Sequence, residues 1–198
     1  MGKALVAREE KLVYLTQEEW AHLLKAIDNP RDKAIFMMAY TYGLRASEVG
    51  LVRVSDVDFA RDRIYIRRLK GSISGEWPLL PEVAKAIKRW LKARQKLGLG
   101  NKTTLFVTRQ GTPIHRSTLH LLMRKYGEKA NIPPHKQHFH TLKHSRAMHL
   151  LEETHDIVGT KDWLGHKNIQ NTMKYVQVLG FHRWEFADKL VGARGGHG

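Results

Sequence analysis

The sequence predicts a mainly helical α+β domain with one small antiparallel β-sheet. Three observations predict it. Apolar residues recur at helical spacing, with cap signals, over most of the chain. One stretch, Arg63-Ile64-Tyr65-Ile66-Arg67, alternates strictly and runs into a Gly/Ser turn. A length of 198 residues with 42% apolar content supplies one sizeable core.

Residues 1–13 read as a charged lead-in. Thr16-Gln17-Glu18-Glu19 is a capping box that opens a first helix, with Trp20, Leu23, Leu24 and Ile27 on one stripe. Asp28-Asn29-Pro30 stops it. Ala34–Tyr42 is apolar nearly all round, which predicts a helix through the core, and Gly43 breaks it before Arg45. The alternating stretch makes a strand with Ile64 and Ile66 inward. Residues 70–75 form its turn, and Trp77–Leu80 return. A helix follows with Val83, Ile87, Trp90 and Leu91 on one stripe. Lys85, Lys88, Arg89, Lys92 and Lys96 lie opposite, as a solvated face or a polyanion-binding one. Thr104–Val107 reads as a short strand. Ser117 caps a helix carrying Leu119, Leu122, Met123 and Tyr126, which ends near Asn131-Ile132-Pro133-Pro134. Residues from Thr141 to about Val191 read as three or four helices, and residues 192–198 as a floppy tail.

The charge balance narrows the partners. Net charge is +15, which favours a polyanion, nucleic acid before an acidic membrane. There is no cysteine, so disulfides, thiol nucleophiles and thiolate zinc sites are excluded. The longest apolar run, around Ala34–Leu44, falls far short of the ~20 residues of a membrane span. The first residues lack a secretory apolar core, so a cytoplasmic protein is expected.

Seven of the twelve histidines lie in 135–166, which is where a site is sought. His140 and His144 have a zinc-chelating i, i+4 spacing. However, Thr141 stands where a metalloprotease has Glu, and no carboxylate cluster supplies a third ligand, so no metal is expected. Phosphate-binding Gly-rich loops and the Gly-x-Ser-x-Gly elbow are missing too, so neither ATP nor esterase chemistry is implied. On the helix from His140, that histidine, Lys143, His144 and Ala147 share a face that presents a donor and a cation to one anion.

Four segments together carry a resemblance. Thr41-Tyr42-Gly43-Leu44-Arg45-Ala46-Ser47-Glu48-Val49 resembles the first arginine box of the tyrosine recombinases, the phage integrase and Xer family. His140-Thr141-Leu142-Lys143-His144-Ser145 is similar to that family's His-x-x-Arg box. Trp163-Leu164-Gly165-His166 through Lys174-Tyr175 is similar to its closing box, with nine residues from His to Tyr. Lys70 takes the place of the family's hairpin-turn lysine. The resemblance covers about Tyr14 to Val191.

The resemblance implies the tyrosine recombinase catalytic-domain fold over residues 14–191, with the family's N-terminal DNA-clasping domain expected to be absent. It also implies a site-specific DNA recombinase that uses neither metal nor nucleotide. Tyr175 would attack a phosphodiester, expel a 5′-hydroxyl and hold the strand as a 3′-phosphotyrosine. Arg45 and His166 would bind nonbridging oxygens, Lys70 would protonate the leaving oxygen, and His140 would give acid/base help to Tyr175. Glu48 reads as a buttress for Arg45, and His144 as structural. Arg67, Arg68 and Arg146 read as DNA-binding residues. The chain departs from the pattern at Lys143, which replaces the family's second arginine and loses its two-pronged donor; Arg146, one turn on, is the candidate substitute. Partners implied are double-stranded DNA and further copies of the chain. These would form a tetramer on two sites, assembled through a terminal helix carrying Phe181, Trp184, Phe186 and Leu190. A type IB topoisomerase and a non-catalytic DNA-binding regulator are the alternatives.

Overall fold

The structure is a computed structural model that describes residues 12–69 and 71–179. The lead-in as far as residue 11, Lys70, and everything from 180 onward, including the proposed assembly helix and tail, lie outside the described residues.

Local signals set the first three helices. At α1 (Gln17–Ala26) the Thr16 hydroxyl accepts from the Glu19 amide, while the Glu19 carboxylate accepts from the Thr16 amide. Of its predicted stripe, Leu23 and Ile27 are fully buried; Trp20 is half-buried and stacks on Tyr40 at 4.0 Å. Asn29 does more than end α1. Its side chain accepts from the Arg31 and Asp32 amides and so starts α2 (Pro30–Thr41) four residues earlier than its apolar run suggests. The helix is buried along most of its length and packs between α4 (Pro81–Lys96) and α6 (Thr141–Thr154). Gly43 ends it with φ +59°; a Cβ there would sit 2.5 Å from Leu164 Cδ2. Arg45 then caps the one-turn α3 (Ala46–Val49).

The sheet is antiparallel in the order β1 (Val57–Asp58), β2 (Arg63–Ile66), β3 (Gly75–Pro78). Ile64 and Ile66 point inward as the alternation predicts, and Ile64 pairs with Trp77. β3 starts two residues before the predicted return. β1 is only two residues long, too short to leave a periodic signal.

Thr104–Val107 is not a sheet strand. It makes single bridges from Thr104 to Arg53 and from Val107 to Pro113. A buried cation on α4 lies against it. Arg94 donates to the carbonyls of Leu99, Thr104, Leu105 and Lys102, and Trp90 Nε1 adds a bond to Leu105, so side chains, not a neighbouring strand, take the Thr104 and Leu105 carbonyls. α5 (Arg116–Lys129) is capped by the His115 ring, two residues before the predicted Ser117. After α6 the chain makes α7 (Ile157–Trp163) and α8 (Gln170–Leu179). Trp77 Nε1 donates to the Trp163 carbonyl and Trp163 Nε1 to the Thr41 carbonyl, which ties the sheet, α7 and the end of α2 together. Leu12, assigned to the lead-in, already packs against the apolar cluster of α6 and α8.

Candidate active site

Three chain reversals bring the predicted boxes to one place. The left-handed turn at Gly43 delivers Arg45. The β2–β3 turn lies against it, because Ser72 bridges to His166 and the Ile73 amide donates to the Gly165 carbonyl at 2.9 Å. Gly165, at φ +64°, lets the chain leave α7 close to that turn; a Cβ would meet the Ile73 carbonyl at 2.9 Å.

Glu48 is the buttress the sequence suggests. It is fully buried and accepts from the Arg45 amide (2.9 Å), Arg45 Nη1 (2.9 Å), Arg68 Nη1 (3.3 Å) and the Leu69 amide (3.2 Å). Burial works to raise its pKa, but the Arg45 amide, the Arg68 charge and the Leu69 amide together hold it below the usual carboxylate range. Arg45 Nη1 also donates to Ser72 Oγ at 2.7 Å, and its side chain keeps 32% exposure. Bonds to described residues use Nη1 alone, so the rest of the guanidinium fork stays available to an anion.

Arg68 corrects an expectation. Its side chain is 0% exposed, so it is no backbone contact for DNA. It donates to the Gly43 carbonyl (3.0 Å) and the Tyr42 carbonyl (2.5 Å), pairs with Glu48 and lies over Trp77. Arg67 stays part-exposed, paired with Asp56 and set over the Tyr65 ring. Arg146 is taken away from the cluster. Its guanidinium lies over Tyr40 at 5.4 Å, so it does not substitute for Lys143.

Lys143 does reach the centre. It is 2% exposed, and Nζ donates to the carbonyls of Gly43 (3.0 Å) and Leu164 (3.3 Å). Burial, then the charges of Arg68 and Arg45, push its pKa down to about 7. Lys70 lies outside the described residues.

Three imidazoles line the same space. His140, at the start of α6, is solvent-exposed and meets the His144 ring edge-on at 4.5 Å and 88°. His166 is buried, bonds through Nδ1 to Thr172 Oγ1 at 2.9 Å, and runs parallel to the Tyr175 ring at 6.5 Å. Burial, followed by nearby cations, pushes His140 down to about 4 and His166 to about 3. His144 is also pushed to about 3, by burial and then by His140 and Lys174. All three are therefore neutral at neutral pH.

Tyr175 sits deeper than its polar sequence context implies. It is 1% exposed, its ring clustered with Ala147, Met148, Leu151 and Leu164, and burial raises its pKa. Its hydroxyl points at histidine, but the partner is His144 Nδ1 at 3.0 Å and not His140. The histidine read as structural is thus the one that bonds the Tyr175 hydroxyl. The i, i+4 spacing of His140 and His144 was the available signal. Lys174 adds a cation over the Tyr175 ring at 5.0 Å, and Thr172 orients His166; sequence reasoning missed both.

A second tyrosine–histidine pair gives a useful contrast. Tyr40 bonds His149 Nδ1 at 2.7 Å, but the other nitrogen of that ring meets the Leu15 carbonyl at 2.9 Å, so both ring nitrogens are engaged in packing. Among the described residues no group of three or more His, Asp or Glu is arranged to hold a metal ion, and no helix is long and apolar enough to cross a membrane.

Residues 13–180 match the sequence profile described as the Phage integrase family. The chain is 32% identical over 173 residues to the type 1 fimbriae regulatory protein FimB of Escherichia coli, covering 85% of this chain and 86% of that protein. It is 33% identical over 180 residues to tyrosine recombinase XerA of Pyrococcus horikoshii, covering 88% of this chain and 60% of the relative. A crystal structure of XerA recombinase superposes with a TM-score of 0.73 at 27% identity, covering 92% of this chain and 65% of that one.

Proposed function

The chain belongs to the phage integrase family, the tyrosine recombinases, and from that premise we propose that it cuts and rejoins DNA at specific sites with Tyr175 as nucleophile. The observation that carries this reading is the convergence of Arg45, His140, Lys143, His144, His166 and Tyr175 in one space from segments far apart in sequence.

The chemistry follows from the groups. Tyr175 attacks phosphorus and the 5′-oxygen leaves, so a 3′-phosphotyrosine conserves the energy of the bond and the reverse step joins a new 5′-hydroxyl. Negative charge grows on the nonbridging oxygens as phosphorus becomes five-coordinate. Arg45, anchored by Glu48 and Ser72, offers the open part of its fork to one oxygen. Lys143 supplies a point charge and His166 a hydrogen bond, while Lys70 acts as the acid for the leaving oxygen. Neither metal nor nucleotide takes part. Arg67 holds the DNA backbone near the site.

The catalytic domain spans residues 14–191. The segment from Gly180 onward docks on a neighbouring copy, and four copies act on two DNA sites. Such a protein works in the cytoplasm, where the DNA is.

A nicked suicide substrate tests this reading. The parent protein forms a denaturant-stable protein–DNA adduct, unaffected by EDTA, and Tyr175→Phe forms none while its DNA binding stays within a few-fold. An adduct with Tyr175→Phe removes the assignment. A supercoiled plasmid with two target sites tests the outcome: recombinant products support strand exchange, and relaxation alone refutes it.

A further inference from the structure

We propose that His144 is a catalytic residue, the group that takes the proton from the Tyr175 hydroxyl as that oxygen attacks phosphorus. The inference rests on the reading of Tyr175 as nucleophile and deepens it.

Geometry separates His144 from its two neighbours. A general base must stand within hydrogen-bond reach of the proton it removes. His144 Nδ1 stands 3.0 Å from the Tyr175 hydroxyl. With the phenol donating, Nδ1 accepts and the imidazole carries its own hydrogen on Nε2. His140 turns its ring edge-on to His144 at 88°, so its contact is with the other imidazole. His166 runs parallel to the phenol ring, 8° from coplanar orientation and 6.5 Å away, with Nδ1 committed to Thr172. Among the described residues, His144 is therefore the one base on the nucleophile.

The surroundings keep that base ready. The groups facing His144 are His140 and Lys143 from its own helix and Lys174 and Tyr175 from α8. Burial first, then the His140 ring and the Lys174 and Lys143 ammonium groups, hold the imidazole neutral in the DNA-free protein. A bound phosphodiester brings negative charge among the same cations. It offsets their field and raises the basicity of His144 when the substrate is present.

The step balances. The Tyr175 proton moves to His144 Nδ1 and leaves an imidazolium. The phenolic oxygen forms the new bond to phosphorus, the bond to the 5′-oxygen breaks, and that oxygen takes its proton from Lys70. In the rejoining step the imidazolium returns its proton to the departing phenol.

Single-turnover cleavage of a nicked suicide substrate tests this, run in parallel with a substrate whose leaving 5′-oxygen is sulfur. Thiolate leaves without a proton, so the sulfur substrate restores variants lacking the acid and not those lacking the base. His144→Ala should cleave about 10²–10⁴-fold more slowly. The sulfur substrate should leave that deficit in place, and added imidazole should restore part of the rate. His144→Gln holds the hydroxyl with an amide oxygen but takes no proton; it should be as slow, and it keeps the test open if the alanine variant fails to fold. The proposal is overturned if His144→Gln cleaves at the parent rate, or if the sulfur substrate restores His144→Ala. Cleavage by His144→Ala as fast as the parent, or faster, also overturns it, since the bond would then only restrain a buried hydroxyl. An adduct formed by Tyr175→Phe would instead sink the nucleophile assignment beneath it.

Discussion

Replacing Lys143 by methionine keeps the length and bulk of the stem and deletes the ammonium, which isolates what the charge does. Two carbonyls lose a donor. That of Gly43 still accepts from Arg68, so the loss falls mainly on Leu164. One buried carbonyl short of a partner costs about 1–3 kcal/mol, and relief from holding a cation at 2% exposure offsets part of it. Stability should therefore fall by no more than about 2 kcal/mol in urea denaturation, given those terms. Cleavage should fall far more. Removing one preorganised donor to a developing oxyanion costs on the order of 10²–10³ in rate, or about 2.7–4 kcal/mol. The pH dependence adds a sign. With its pKa pushed down to about 7, the lysine loses its charge as pH rises through that value in the DNA-free fold. Lys143→Arg keeps the charge across the range, so it should cleave at least as well as the parent at pH 8–9 and flatten the alkaline limb. Single-turnover cleavage from pH 6 to 9, beside a denaturation curve for each variant, reads both effects. Cleavage by Lys143→Met within about threefold of the parent, on a folded protein, would refute the reasoning and leave Lys143 as a structural clamp on the Gly43 turn.

Three more outcomes follow from the same packing. Glu48→Gln leaves Arg68 as a fully buried charge without its counter-ion, so unfolding free energy should fall by about 3–5 kcal/mol in chemical denaturation; a loss under 1 kcal/mol would mean the carbonyls of Tyr42 and Gly43 suffice. Gly43→Ala forces a Cβ onto Leu164 at φ +59°, and roughly 1–3 kcal/mol of stability should go, seen as a lower melting temperature; an unchanged melt would show that the turn relaxes. His144 and His166, pushed down to about 3, leave the folded state binding fewer protons than the unfolded chain between about pH 3 and the ordinary histidine value of 6.5. Their contribution to stability should therefore be full above pH 6.5 and fall steadily as pH drops below it. Denaturation midpoints that stay flat from pH 7 to 4 would count against buried neutral imidazoles.

Much of this protein was legible in its residues because the signals were local. The Thr16 capping box, the inward Ile64 and Ile66, and the break at Gly43 each depend on neighbours a few positions away, and each lies where the local signal puts it. The order of the arginine box, the His-x-x-Lys box and the closing Tyr175 identified the family and the chemistry. The i, i+4 spacing also put His140 and His144 on one face of α6. Which of the two meets Tyr175 was decided by how α8 lies across that face, and helix crossing depends on apolar packing around Ala147, Met148 and Leu164 that no local spacing reports. Arg68 and Arg94 make the same point for charge. Arg68 reads as a DNA contact and Arg94 carries no local signal of burial, yet each is drawn inside by carbonyls that only the folded chain gathers: the Gly43 turn for Arg68, the 99–105 loop for Arg94. A residue's type sets which bonds it can make; whether partners converge on it is a property of the tertiary structure, because those partners are remote along the chain.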